Sequence, residues 1–156
     1  MNKKLIENYW QSYLDTLPAD SPLRQKKYVA ERFGDSPGLA DELGALIVAG
    51  IKTATCSSLW EWKAEGDPLP IVGYLTIVLN GNHDPLCIIE TTEVIVRPYN
   101  EVDAQFAYDE GEGDRSLQYW RGGHWYFFSR SLPKIGKEPT QDMPLVCERF
   151  RVIYRG

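Results

Sequence analysis

No apolar run in the chain approaches the ~18–20 residues a bilayer crossing needs, which excludes a membrane-spanning helix. The first ten residues, Met1 to Trp10, are polar and mixed, with no short apolar core followed by small residues. No signal peptide is read there, and a cytoplasmic location is the expectation. Cysteine is scarce: Cys56, Cys87 and Cys147 lie far apart and none belongs to a CxxC pair. That spacing argues against a disulfide framework or a zinc-finger-type site, and reduced buried thiols are expected. Histidine is scarcer still, with only His83 and His124, and no His/Asp/Glu spacing resembles a metal set. No metal and no cofactor are therefore expected. Basic charge is also lacking. The formal net charge is −5, whereas proteins that grip long nucleic acid usually carry a cationic stripe. The balance favours a small ligand over a long polyanion.

What is present is ordinary globular material, 43% hydrophobic and 25% charged over 156 residues, a length that fits one domain. Leu5, Ile6, Tyr9, Trp10, Tyr13, Leu14 and Leu17 recur at helical spacing and predict a first helix. Ser21-Pro22 reads as a new helix start, with Leu23, Tyr28, Val29 and Phe33 predicting a second, weaker helix that ends at Gly34. Ser36-Pro37 repeats the start signal, and Leu39, Leu43, Leu46 and Ile47 predict a third, closed by Gly50. From Ile71 the pattern changes to Val, Ile and Thr. Leu75 to Leu79 and Leu86 to Val96, joined through Asn80-Gly81-Asn82, predict a hairpin. Residues 102–130 read as irregular helix, and Leu145 to Tyr154 as a closing strand. Helices, strands, helix and strand in that order point to an α+β class rather than a parallel βαβ sheet.

The segment from Gly50 to Trp60, Gly-Ile-Lys-Thr-Ala-Thr-Cys-Ser-Ser-Leu-Trp, carries the densest chemistry. Thr53, Thr55, Cys56, Ser57 and Ser58 supply hydroxyl and thiol groups beside Lys52, just after a helix end. Each alone could bond the neighbouring backbone. Together they suggest a lysine that activates a threonine hydroxyl, which requires burial to bring the amine toward neutrality. The two can converge only if residues 51–55 are not regular strand. The acidic run Asp109 to Asp114 either forms a solvated turn or aims one carboxylate into a cleft as general acid or base. Its Gly-Glu-Gly is no phosphate loop, because no lysine follows and the flanking acids repel phosphate. Arg115 and Ser129 are candidate ligand contacts, and Trp60 and Trp120 are candidate stacking platforms for a base. His83 is expected in an exposed turn, and His124, among aromatics, as a structural histidine.

These residues resemble the ASCH family, related to the PUA domains of RNA-modification enzymes. The resemblance rests on Gly50-x-Lys52-Thr53-x-Thr55, on Ile88 to Val94, and on Ala107-x-x-Glu110-Gly111. It continues through Trp120 to His124 with Phe127-Phe128, and closes on Asp142-Met143-Pro144-x-Val146-Cys147-Glu148-Arg149-Phe150. It implies a single domain with a PUA-like small mixed β-barrel over residues 36–156 and a helical extension over residues 1–35. Its amidohydrolase members remove acyl groups from the N4 of cytosine nucleosides with a lysine, a threonine and a glutamate. Carried over, these fall on Lys52, Thr55 and Glu110, with Glu112 the alternative carboxylate. The remaining candidates, Thr53, Cys56, Ser57, Ser58, Trp60, Arg115, Trp120 and Ser129, would line the substrate. The expected partner is a small nucleoside such as N4-acetylcytidine, in a metal-independent reaction. The alternatives are cleavage of single-stranded RNA, with Lys52, Arg115 and Ser129 holding a phosphate, and a non-catalytic RNA-binding module. The oligomeric state is left open.

Overall fold

The structure is a computed structural model, and it describes residues 2–156. The chain forms two compact units, one of Met1–Gly50, Gly73–Thr91 and Phe150–Gly156, the other of Ile51–Val72 and Thr92–Arg149.

In the first unit, helix α1 (Lys3–Leu14) starts at Asn2, whose side chain accepts from the Leu5 N–H. It buries Ile6 and Tyr13 against Ile77, Leu79 and Ile88. A single 3-10 turn, Pro22–Gln25, follows a Ser21 cap. Residues Tyr28–Arg32 then form strand β1, not the predicted second helix. The apolar spacing there was ambiguous at this length, and tertiary pairing decides it: β1 lies parallel to β3 (Leu75–Leu79), with Tyr28 opposite Leu75 and Arg32 opposite Leu79. Helix α2 (Pro37–Val48) has the expected Ser36 cap and first-turn proline, and buries Ala40, Leu43, Gly44 and Ile47. Strand β3 is buried at every position and turns into β4 (Pro85–Pro98) through Asn80, whose Oδ1 accepts from the Asn82 and Asp84 N–H groups.

The second unit holds the chemistry-bearing segments. Its strand β2 (Ala54–Ser58) runs antiparallel to β5 (Pro144–Tyr154), with Cys56 directly opposite Cys147. Helix α3 (Leu59–Glu65) follows β2 directly and ends at left-handed Gly66. Helix α4 (Ala104–Glu110) is capped by Asp103 and stopped by Gly111, and α5 (Leu117–Ser131) is capped by Ser116. Their apolar faces meet β2 and β5 in a core of Ala54, Phe106, Trp120, Phe128, Leu132, Met143 and Leu145. The whole sheet has the order β1-β3-β4-β5-β2, so β2 is an edge strand. No helix of the described residues is long and apolar enough to cross a membrane.

Candidate active site

Gly50 leaves α2 with φ +78°, and Lys52 enters the second unit just ahead of β2, outside the regular strand. Its side chain is 1% exposed, among the largest fully buried groups of the protein. An ammonium in that position must be compensated. Nζ donates to Glu110 Oε1 at 2.8 Å, to Glu112 Oε2 at 2.9 Å and to the Ala54 carbonyl at 2.8 Å. The Glu110 carbonyl adds a longer contact at 3.4 Å, and none of these acceptors is Thr55.

The two carboxylates converge because α4 stops between them. Gly111 takes φ +74°, which lets Glu110 close the helix and Glu112 fold back onto the same lysine. The loop is tied to the start of β2 by the Thr53 N–H donating to the Asp109 carbonyl at 2.7 Å. Asp109 is held in turn by Arg149, which also pairs with Glu93 at 3.1 Å. A Cβ at Gly111 would stand 2.7 Å from the Ile51 carbonyl oxygen. Gly111→Ala is therefore expected to cost at least about 1–2 kcal/mol from the left-handed conformation alone. In thermal melts that reads as a fall of about 2–4 °C per kcal/mol in a chain of this size.

Helix α5 completes the cluster. Trp120, His124 and Phe128 are four apart and share one helical stripe. Trp120 Nε1 donates to Glu110 Oε2 at 2.5 Å, and His124 Nε2 stands 3.3 Å from the same oxygen. His124 Nδ1 is 2.8 Å from the Trp120 carbonyl, and the two rings stack at 4.2 Å. Burial alone would raise the Glu110 carboxyl, but the Lys52 ammonium and then His124 outweigh it, and the group is held well below the usual carboxylate range. Burial would lower Lys52, yet Glu110 and Glu112 raise it. His124 is raised likewise, burial being overcome by Glu110. The neutral, basic lysine anticipated from the sequence is thus replaced by a charged one in a closed ion cluster.

Strand pleating sorts the hydroxyl cluster. Ala54, Cys56 and Ser58 project to one face of β2, Thr55 and Ser57 to the other. Cys56 Sγ, a Glu110 carboxylate oxygen and a His124 ring nitrogen all lie within 4.8 Å of one another, a set able to hold a metal ion. Burial pushes the Cys56 thiol well up, and Glu110 and Cys147 add to it. Thr55 is half-buried, next in the chain to the carbonyl that receives Lys52. Ser57 Oγ accepts from Trp62 Nε1 at 2.8 Å, and the buried Ser58 Oγ has no hydrogen-bond partner among the described residues.

The other predicted contacts are not gathered here. Trp60 lines a separate cleft of about 620 Å³ with Lys137, whose Nζ lies 5.5 Å from the ring centre. Ser129 lines another, of about 420 Å³, and its hydroxyl donates to the Trp125 carbonyl. Arg115 stacks on Tyr108 and donates to the Tyr108 and Ile51 carbonyls, so it braces the acidic loop. Sequence reasoning set His124 aside as structural. Its four-residue step from Trp120 was the signal that it shares the Glu110 face.

The sequence profile of the ASCH domain matches residues 29–154. The chain belongs to the ASCH domain family. Among solved structures, this ASCH protein is similar to an ASCH domain from Lactobacillus crispatus JV V101, with a TM-score of 0.92 and 36% identity over 97% of this chain and 96% of that one. A protein of Enterococcus faecalis V583 gives a TM-score of 0.85 and 40% identity over 97% and 89%. No curated protein matches. The α+β, PUA-like fold with its N-terminal helix, expected from the sequence, is the architecture these relatives share.

Proposed function

We propose that this ASCH domain is an amidohydrolase that removes the acyl group from N4-acylated cytosine nucleosides, using Lys52, Thr55 and Glu110 without a catalytic metal. The observation that carries the reading is the buried Lys52–Glu110 pair at the entry of the strand that bears Thr55. A fixed ammonium and carboxylate in a low-dielectric site are preorganised for charge that develops during acyl transfer. Because Lys52 is charged at rest, its role is a relay and not that of a free base. As the Thr55 hydroxyl attacks the acyl carbonyl, its proton passes to Nζ while Nζ hands one to Glu110 Oε1 along the 2.8 Å hydrogen bond. Thr55 lies within regular β2, so attack requires the start of that edge strand, Ala54 and Thr55, to leave its pairing with β5 and carry the hydroxyl to Nζ. The tetrahedral oxyanion collapses, the C–N bond breaks, and the proton on Glu110 leaves with the exocyclic amine. Ionised Glu110 then takes a proton from water as the water oxygen adds to the acyl-threonine ester. The bond to Thr55 breaks, the carboxylic acid departs, and the proton passes from Glu110 through Nζ back to the Thr55 oxygen.

The alternative of single-stranded RNA cleavage finds less support in these side chains. Lys52 donates to Glu110, Glu112 and Ala54, Arg115 braces the acidic loop, and Ser129 faces a different cleft, so these three side chains do not converge on one phosphate. The test is release of cytidine from N4-acetylcytidine by purified protein, with and without a chelator. Chelator-resistant release that Thr55→Ala abolishes is the expected result. Unchanged release in Thr55→Ala would end the assignment of the nucleophile, and no release by the wild type would end the substrate assignment.

A further inference from the structure

Cys56, Glu110 and His124 bring three different donor atoms close together in the buried end of the site. His124 Nδ1 faces a backbone carbonyl at 2.8 Å, which has no proton to give, so Nδ1 carries the hydrogen. Nε2 then faces the Glu110 carboxylate at 3.3 Å, carrying a proton in the imidazolium and a lone pair once that proton is displaced by a metal. That separation is long for a charge-assisted hydrogen bond, which closes to about 2.7–2.9 Å. It matches the edge of a tetrahedron whose nitrogen and oxygen ligands stand about 2.0–2.2 Å from a central ion. The third corner is a thiol: Cys56 Sγ lies within 4.8 Å of a Glu110 carboxylate oxygen and of a His124 ring nitrogen.

We propose that Cys56, Glu110 and His124 form a site for one transition-metal dication of the zinc class, with three protein ligands and a fourth position for water. Sulfur, imidazole nitrogen and carboxylate oxygen together suit zinc and cobalt, and not the all-oxygen preference of magnesium or calcium. The supporting contacts are those metal sites use. The histidine gives its other N–H to a carbonyl, and the carboxylate is oriented by Lys52 on Oε1 and Trp120 on Oε2. Cys147, opposite Cys56 in the strand register, is not the fourth ligand, because its thiol is directed at the Leu145 carbonyl at 3.9 Å. Binding exchanges the dication for two protons, one from the imidazolium and one from the thiol. The net charge of the cluster with Lys52 and Glu112 is zero before and after, so no charge is buried uncompensated. Linear spacing could not suggest the set, since its members come from a strand, a helix end and another helix.

Chelator-stripped protein would be titrated with Zn2+ against a chromophoric zinc chelator, and separately with Co2+ followed by absorption. The expected outcome is one equivalent bound with a thiolate-to-cobalt charge-transfer band. Cys56→Ser should remove the band and weaken zinc by at least about 100-fold, His124→Gln should weaken it similarly, and Cys147→Ser should change neither. Binding below a tenth of an equivalent, or a band that survives Cys56→Ser and vanishes in Cys147→Ser, overturns the site. If Cys56→Ser does not fold by circular dichroism, His124→Gln decides on the same affinity criterion. No turnover enters these readouts, so the metal site and the amidohydrolase reading stand or fall separately. One consequence does rest on the hydrolase reading: metal on Glu110 occupies the group that carries the proton, so Zn2+ should inhibit cytidine release in the wild type.

Discussion

Lys52→Met is expected to lower folding stability by about 3–5 kcal/mol, which in a chain of this size is a fall in Tm of roughly 6–20 °C. Methionine preserves length and volume, so packing changes little and the loss measures charge. The native ammonium compensates two carboxylates at 2.8 and 2.9 Å. Once it is gone, Glu112, 26% exposed, can turn to water, but Glu110, 1% exposed, cannot. The exposed partner therefore adds little to the loss, and the buried one dominates it. It follows that Lys52→Met/Glu110→Gln should recover much of what Lys52→Met loses, because no buried charge is then left alone. Urea melts of the wild type, both single variants and the double variant give the coupling energy directly. Losses that simply add in the double variant would mean that the two side chains do not stabilise each other.

The helix caps and the hairpin were legible because they are local. Ser36-Pro37 and Gly50 bound α2, and the Asn80-Gly81-Asn82 turn joins β3 to β4. Strand β1 was not legible, since five residues bearing Tyr, Val and Ala fit either period until β3 lies beside them. The candidate site divides along the same line. Lys52 and Glu110 stood out in the sequence, and the structure joins them. The state of that lysine did not, because its charge depends on carboxylates some sixty positions away that α4 and Gly111 bring back. Pleating made a further distinction that composition could not: of two neighbours, Thr55 and Cys56, only Cys56 shares a face with Ala54 and looks toward Glu110. Arg115, Trp60 and Ser129 are of suitable type for ligand contacts but are drawn off by local acceptors or separate clefts.

Glu110→Gln is expected to reduce kcat for N4-acetylcytidine by about 10²–10⁴-fold, the usual range for a lost proton-transfer group. The amide keeps the shape and accepts from Lys52, but it can neither hold the relayed proton nor activate water. Its stability cost should be smaller than that of Lys52→Met, since Lys52 retains Glu112 and the Ala54 carbonyl. The same substitution separates catalysis from acid sensitivity. In the folded protein the Glu110 carboxyl is held far below its unfolded value of about 4.3. Its stabilising contribution is therefore complete above that unfolded value and is lost as pH falls from there toward the folded one. Wild-type stability should decline steeply with acid across that window, and the decline in Glu110→Gln should be shallower, although the variant starts lower. Parallel acid profiles for the two proteins would show that Glu110 is not held ionised by Lys52, and the relay would lose its resting state.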